Sequence, residues 1–166
     1  MSTERRAVQT GGCQCGAVRY ALYAEPDDPH ICHCRMCQKA FGSFFAPLTG
    51  VLRVDFALTR GTLAEFRSSD FAERGFCANC GTPLTLHYVD SPRIAVSIGS
   101  LDHPERVAPR KQYGLEARMP WFPELDIPGE TTEADMPADR YAVVERSNRQ
   151  HPDHDTDDWT PKEGLR

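Results

Sequence analysis

The chain has 166 residues, 40% hydrophobic and 26% charged, with a formal net charge of −5. That length suits one domain with a buried core, and the acidic balance argues against non-specific nucleic-acid binding, which needs a dense positive surface to displace counterions. No apolar run approaches membrane-spanning length, so no membrane partner is expected.

Residues 1–10 form a polar leader whose arginines precede no apolar core, which predicts a chain kept in a reducing cytoplasm rather than exported. Cys13 and Cys15 then make a Cys-x-Cys closed by Gly16, and residues 17–23 alternate as a strand with Val18, Tyr20 and Leu22 on one face. Residues 25–29, Glu-Pro-Asp-Asp-Pro, read as a turn by composition. They deliver the chain to Cys32, Cys34 and Cys37, a Cys-x-Cys-x-x-Cys in which the thiols converge on one ion only if the backbone turns tightly around it. Three protein ligands with a fourth position open is the arrangement of reactive zinc sites; the other reading is a second structural zinc completed by His30, His33, His87 or His103.

Beyond the cluster, residues 38–42 suit one helical turn and residues 43–48 a buried aromatic strand, with Phe41, Phe44 and Phe45 as core or pocket wall. Further strands are expected over 51–58, 63–68, 82–88 and 94–99, punctuated by Gly50, Gly61 and Pro92. Cys77 and Cys80 form a Cys-x-x-Cys which, with Cys13 and Cys15, supplies a full tetrahedral thiolate set. The seven cysteines thus divide into four and three, two zinc ions per chain, and the Cys-x-Cys neighbours lack the separation that a disulfide between them demands. Helical periodicity is almost absent, so the fold is expected to be mainly β with little helix. From Leu101 the texture changes, and Pro120-Trp121-Phe122-Pro123 reads as an ordered strap, with Trp121 as core or pocket wall. Residues 138–166 read as a polar, acidic, loosely held tail with a short apolar stretch at 141–144, and its His151 and His154 as solvated.

Gly-Gly-Cys-Gln-Cys-Gly-Ala-Val-Arg-Tyr, Cys-His-Cys-Arg-Met-Cys and Arg-Gly-Phe-Cys-Ala-Asn-Cys-Gly-Thr-Pro-Leu, joined by Gly-Ser-Leu-Asp and Arg-Met-Pro-Trp, resemble the glutathione-dependent formaldehyde-activating family, also called the GFA or centromere-protein-V domain family. The resemblance covers residues 11–137 as one zinc-binding domain. It implies an Mss4-like fold of packed antiparallel sheets stapled by zinc knuckles, shared with methionine sulfoxide reductase B and a guanine-nucleotide-exchange chaperone. It also implies that Cys13, Cys15, Cys77 and Cys80 hold a structural zinc, and Cys32, Cys34 and Cys37 a catalytic one. The chain has Gln112 where many relatives have histidine, which bears on the substrate.

Three thiolates leave a zinc complex net negative and a weaker Lewis acid than zinc on neutral histidines, so the site suits a soft fourth ligand better than hydroxide formation. The expected activity joins a glutathione-like thiol to a small, formaldehyde-like aldehyde, which in reverse is carbon–sulfur lyase chemistry. His33 is the expected proton shuttle and Arg35 an anion contact. Lys39, Gln112, Arg118 and Trp121 are the expected substrate contacts, with Arg110 and Lys111 as further anchors for carboxylates. A non-catalytic zinc-stapled adaptor and a thiol or sulfoxide redox enzyme are the alternatives, and homo-oligomer formation is left open.

Overall fold

The short alternating runs pair into two sheets. In the computed structural model, which describes residues 5–161, the strands are β1 (Gln9–Gly12), β2 (Arg19–Leu22), β3 (Asp27–Cys32), β4 (Ala46–Leu52), β5 (Phe56–Arg60), β6 (Ala64–Arg67), β7 (Ala72–Phe76), β8 (Pro83–Tyr88), β9 (Arg93–Ser97) and β10 (Lys111–Tyr113). The helices are α1 (Arg35–Phe41), α2 (Thr132–Asp135) and α3 (Ala138–Ser147). A three-stranded sheet has the order β1-β2-β5, and a seven-stranded sheet the order β10-β3-β4-β9-β8-β7-β6. The fold is mainly β, as the composition and patterning implied. All strand pairs are antiparallel except β10 on β3, where Gln112 lies opposite Ile31.

The seven-stranded sheet is covered on both faces, and each covering holds one cysteine group. On one face Val51, Ile94 and Val96 pack with Val18, Tyr20 and Leu22 of the three-stranded side, and Cys13 and Cys77 belong to this core. On the other face Leu48, Ala72, Leu86 and Ala95 pack with Cys37 and Phe41 of α1 and with Cys32 and Cys34. Tyr20, Leu22 and Leu84 are fully enclosed, each worth ~1.5–3 kcal/mol of apolar burial. Among the described residues no helix is long and apolar enough to cross a membrane.

β1 and β10 add strands to those expected, β4 begins only at Ala46 within the strand expected over 43–48, and a 3₁₀ turn at Arg53–Asp55 breaks the one expected over 51–58; four further departures have physical causes. The Glu-Pro-Asp-Asp-Pro segment is not a free turn: β3 begins inside it, and the turn-forming residues appear as a register break between Asp27 and His30, with Asp28 at φ 48°. β7 was absent from the expected strands because its buried Arg74 and Gly75 interrupt the apolar alternation. α3 was likewise not expected, since its apolar residues 141–144 are consecutive rather than spaced at i, i+3, i+4. The fourth concerns residues 150–160, expected to be loosely held: His151 is buried, and its backbone N–H donates to Gln14 O at 2.7 Å. His154, by contrast, is exposed.

Candidate active site

Both cysteine groups are built at strand ends. Cys13 and Cys15 follow β1, and Cys77 and Cys80 sit in the β7–β8 turn. The two turns close alike, with Gly16 N–H donating to Cys13 O and Gly81 N–H to Cys77 O. Backbone amides and hydroxyls face the sulfurs: Val18 N–H reaches Cys13 Sγ at 3.2 Å, and Thr82 Oγ1 lies 3.2 Å from Cys80 Sγ. Four sulfurs at the ~2.3 Å Zn–S distance stand about 3.8 Å apart along the tetrahedron's edges. Cys13 and Cys15 are 3.6 Å apart and Cys15 and Cys77 3.8 Å, so the donor set has the size of a zinc site. All seven cysteines are free thiols.

The second group forms where β3 runs into α1. Cys32 is the last residue of β3, Cys34 caps α1 by accepting from Cys37 N–H at 3.5 Å, and Cys37 stands in the first turn. A ligand sulfur thereby doubles as a helix cap, which explains why the helix starts earlier than the predicted turn at 38–42. Gly114, at φ 67°, supports the loop from outside; a Cβ there would meet Cys34 N at 2.6 Å. His33 N–H donates to Tyr113 O, tying the loop to β10. The sulfurs of Cys32, Cys34 and Cys37 lie within 4.8 Å of one another.

Among the described residues no histidine, cysteine or carboxylate joins these three sulfurs. Each histidine named as a fourth ligand stays out of the group and is engaged elsewhere through one ring nitrogen. His30 Nδ1 contacts Asp28 O at 2.7 Å, His33 Nε2 contacts Gln112 Oε1 at 2.9 Å, His87 Nε2 pairs with Glu73 at 3.0 Å and His103 Nδ1 with Glu105 at 3.2 Å. Three thiol donors sized for zinc, with no side chain completing the set, fit a metal that carries an exchangeable fourth ligand.

The electrostatics are those of packed thiols sharing protons. Cys37 is drawn down to about 5, foremost by a hydrogen bond from Cys32, against burial and with help from Arg74; Cys32 is pushed up by the same hydrogen bond and by burial. In the four-cysteine group burial pushes Cys13 up, whereas at Cys80 burial is outweighed by the hydrogen bonds of Thr82 and Cys15 together, which bring it to about 6. A divalent cation replaces such shared protons when it binds.

The expected substrate-side residues divide. His33 and Gln112 meet beneath an aromatic cluster, with the His33 ring 4.6 Å from Phe122 and 6.3 Å from Phe45, and Phe44 5.1 Å from Trp121. His33 is fully enclosed, and Trp121, at 45% exposed, is not a core residue. Arg35 is exposed and donates to Gln38 Oε1 at 2.6 Å. Lys39, Arg110 and Arg118 stand exposed, and Lys111 is engaged by Asp28 at 3.0 Å. Two buried residues absent from the sequence-derived site belong to it. Gln38 Nε2 donates to His33 O and Ala117 O, and Arg74 Nη2 donates to Cys37 Sγ at 3.4 Å. Only the interrupted β7 pattern marked Arg74, as a charged residue inside an otherwise strand-like run.

A cavity of about 160 Å³ lies elsewhere, between the four-cysteine turn and residues 150–153. Its one guanidinium, Arg19, is already bonded to Asp102 and Asp155, leaving no unpaired guanidinium for an anionic ligand.

The chain is similar to known proteins. The family model described as glutathione-dependent formaldehyde-activating enzyme matches residues 8–116. A Schizosaccharomyces pombe protein named an uncharacterized lyase is 31% identical over 80 residues, 48% of this chain; the chain spans 58% of that relative's length. The crystal structure of a Rhodobacter sphaeroides protein is similar at 25% identity and a TM-score of 0.48, covering 62% of this chain and 98% of the other.

Proposed function

The chain belongs to the glutathione-dependent formaldehyde-activating enzyme family, and on that premise we propose that it joins a low-molecular-weight thiol to a small aldehyde at Cys32, Cys34 and Cys37. The observation that carries the reading is the three-sulfur group to which no further side chain contributes. Zinc bound there would hold a soft sulfur ligand as thiolate near neutral pH. The chain's own residues do the rest. Cys34 and α1 keep the sulfurs converged, and Phe44 and Trp121 offer an apolar wall against which a small substrate loses water. Exposed Lys39 and Arg118 are placed as anchors for the carboxylates of a glutathione-like thiol, and Arg35 as a further anion contact. Holding both reactants replaces an encounter in solution, the main source of acceleration for an addition of this kind.

His33 acts in this reading through Gln112 and the aromatic cluster, with its enclosed Nδ1 as the atom that would hold or pass a proton. Cys13, Cys15, Cys77 and Cys80 serve as the ligands of a structural zinc. The reaction needs reduced cysteines, in keeping with a cytoplasmic location.

The test is exchange NMR with ¹³C-formaldehyde and glutathione, alongside metal analysis. Two equivalents of zinc and faster interconversion of free and thiol-bound formaldehyde are expected, with His33→Ala keeping both metals and losing rate. A single equivalent of zinc, or no acceleration, would leave a metal-braced β module of the adaptor kind.

A further inference from the structure

Arg74 has no role in the reaction as described, yet it is 9% exposed and lies against the three-cysteine group. It stands on β7 beside Ala72 and opposite Leu86, both packed with Cys37. Nε donates to Ser68 Oγ at 3.1 Å and Nη2 to Cys37 Sγ at 3.4 Å, whereas Nη1 is enclosed with no hydrogen-bond partner among the described residues. The terminal nitrogens of a guanidinium share one carbon, so Nη1 is the immediate covalent neighbour of the group that donates to the Cys37 sulfur. Gln9 Oε1 and His33 Nδ1 are also enclosed without partners, but Arg74 Nη1 is the charged donor of the three. A permanent cation with an enclosed, unpaired N–H is unfavourable until something accepts from it.

We propose that Arg74 Nη1 receives the aldehyde oxygen and stabilises the negative charge that develops there; this rests on the thiol–aldehyde reading above. Two observations select the oxygen of a carbonyl over a carboxylate of the thiol. With Nε on Ser68 and Nη2 on Cys37, the paired N–H fork that carboxylates prefer is divided, and one nitrogen remains for one oxygen atom. Phe66 opposite Arg74 and Tyr88 opposite Ala72 share its face of the sheet, 62% and 52% exposed, so the surface beside Arg74 carries aromatic rings and no further charge on that register, which suits a small uncharged aldehyde. In the step, the thiolate sulfur's lone pair forms the S–C bond while the carbonyl π pair moves onto oxygen beside Nη1. A proton relayed by His33 and solvent then reaches that oxygen, balancing the one lost by the thiol, and the product is the S-hydroxyalkyl adduct with no external oxidant or reductant.

Arg74→Met and Arg74→Lys are compared with the wild-type protein by the formaldehyde–glutathione exchange measurement, by calorimetric titration with glutathione alone and by zinc analysis. Both variants are expected to keep two zinc equivalents and to bind glutathione within about twofold of wild type, because the thiol does not need Nη1. The exchange rate at saturating glutathione should fall about 10²-fold in Arg74→Met, the loss typical of one oxyanion donor, and less in Arg74→Lys. An unchanged rate would overturn the proposal. So would loss of zinc or of folding in both variants, which would assign Arg74 to the framework, and so would equal losses in rate and glutathione affinity. Absence of catalysed exchange in the wild-type protein refutes the thiol–aldehyde reading itself, and the role of Arg74 with it.

Discussion

Arg19 and Asp102 meet as a bidentate pair at 2.7 and 2.5 Å, with both side chains less than 5% exposed. Thr10 Oγ1 adds a third bond to the carboxylate, and Asp155 a second anion to the guanidinium. The pair links β2 to residue 102 and to the C-terminal segment at once. Burial works against the Asp102 carboxylate, but the Arg19 and Thr10 hydrogen bonds outweigh it and hold its pKa below the usual range. The folded carboxylate thus titrates below the unfolded one at 3.8, so its contribution is complete at neutral pH and is lost as pH falls through the folded value. Asp102→Asn should lower stability to urea by ~3–5 kcal/mol, because it leaves a buried arginine short of its main counter-charge. A loss under ~1 kcal/mol would mean that Asp155 alone suffices. None of this pairing was legible in sequence, since Arg19 and Asp102 are far apart in the chain and each looks like an ordinary surface charge.

The element that departs most from its sequence reading is the segment 150–160. It folds back on the four-cysteine turn: Trp159 Nε1 donates to Cys15 O at 2.8 Å, its ring lies 4.6 Å from that of His151, and Arg60 bonds Thr156. Gly16, at φ 76°, makes room, since a Cβ there would collide with both His151 and Trp159. Composition suggested a solvated tail because the segment has few apolar residues, but its attachment uses one indole, one imidazole, the Asp155 carboxylate on Arg19 and the Thr156 oxygens on Arg60. We expect Trp159→Ala to release zinc from the four-cysteine group several-fold faster to a colorimetric chelator, with the formaldehyde–glutathione exchange rate unchanged. Burial lowers the His151 pKa from 6.5, and Arg19 and Arg60 lower it further against Asp102. The unfolded or undocked form therefore takes up the proton first, and docking should weaken as pH falls below about 6.5. Zinc release that is equally fast at pH 7.5 and 5.5 in the wild-type protein, and unaffected by Trp159→Ala, would contradict the clamp.

At the scale of the whole molecule, one seven-stranded sheet separates two cysteine groups with different surroundings. The four-cysteine group belongs to the main core with Tyr20, Leu22 and Leu84, whereas the three-cysteine group sits with α1 in a smaller cluster on the opposite face. Graded chelation should therefore remove zinc in two steps, the first abolishing thiol–aldehyde exchange while far-UV circular dichroism holds, the second collapsing the sheet signal. Loss of both metals and of structure in a single step would show that the two faces are one cooperative unit. The amino-acid sequence alone determined the division of cysteines into four and three, the mainly β character and the family, because ligand pairs within one turn and alternating strands are local patterns. Only the tertiary structure decided that His30, His33, His87 and His103 are each engaged away from the three sulfurs, that Arg74 from a missed strand caps Cys37, and that residues 150–160 brace Cys15. Those neighbours come from strands paired across the sheet and from chain ends folded back, and residues brought together by long-range pairing leave no spacing in the sequence to read.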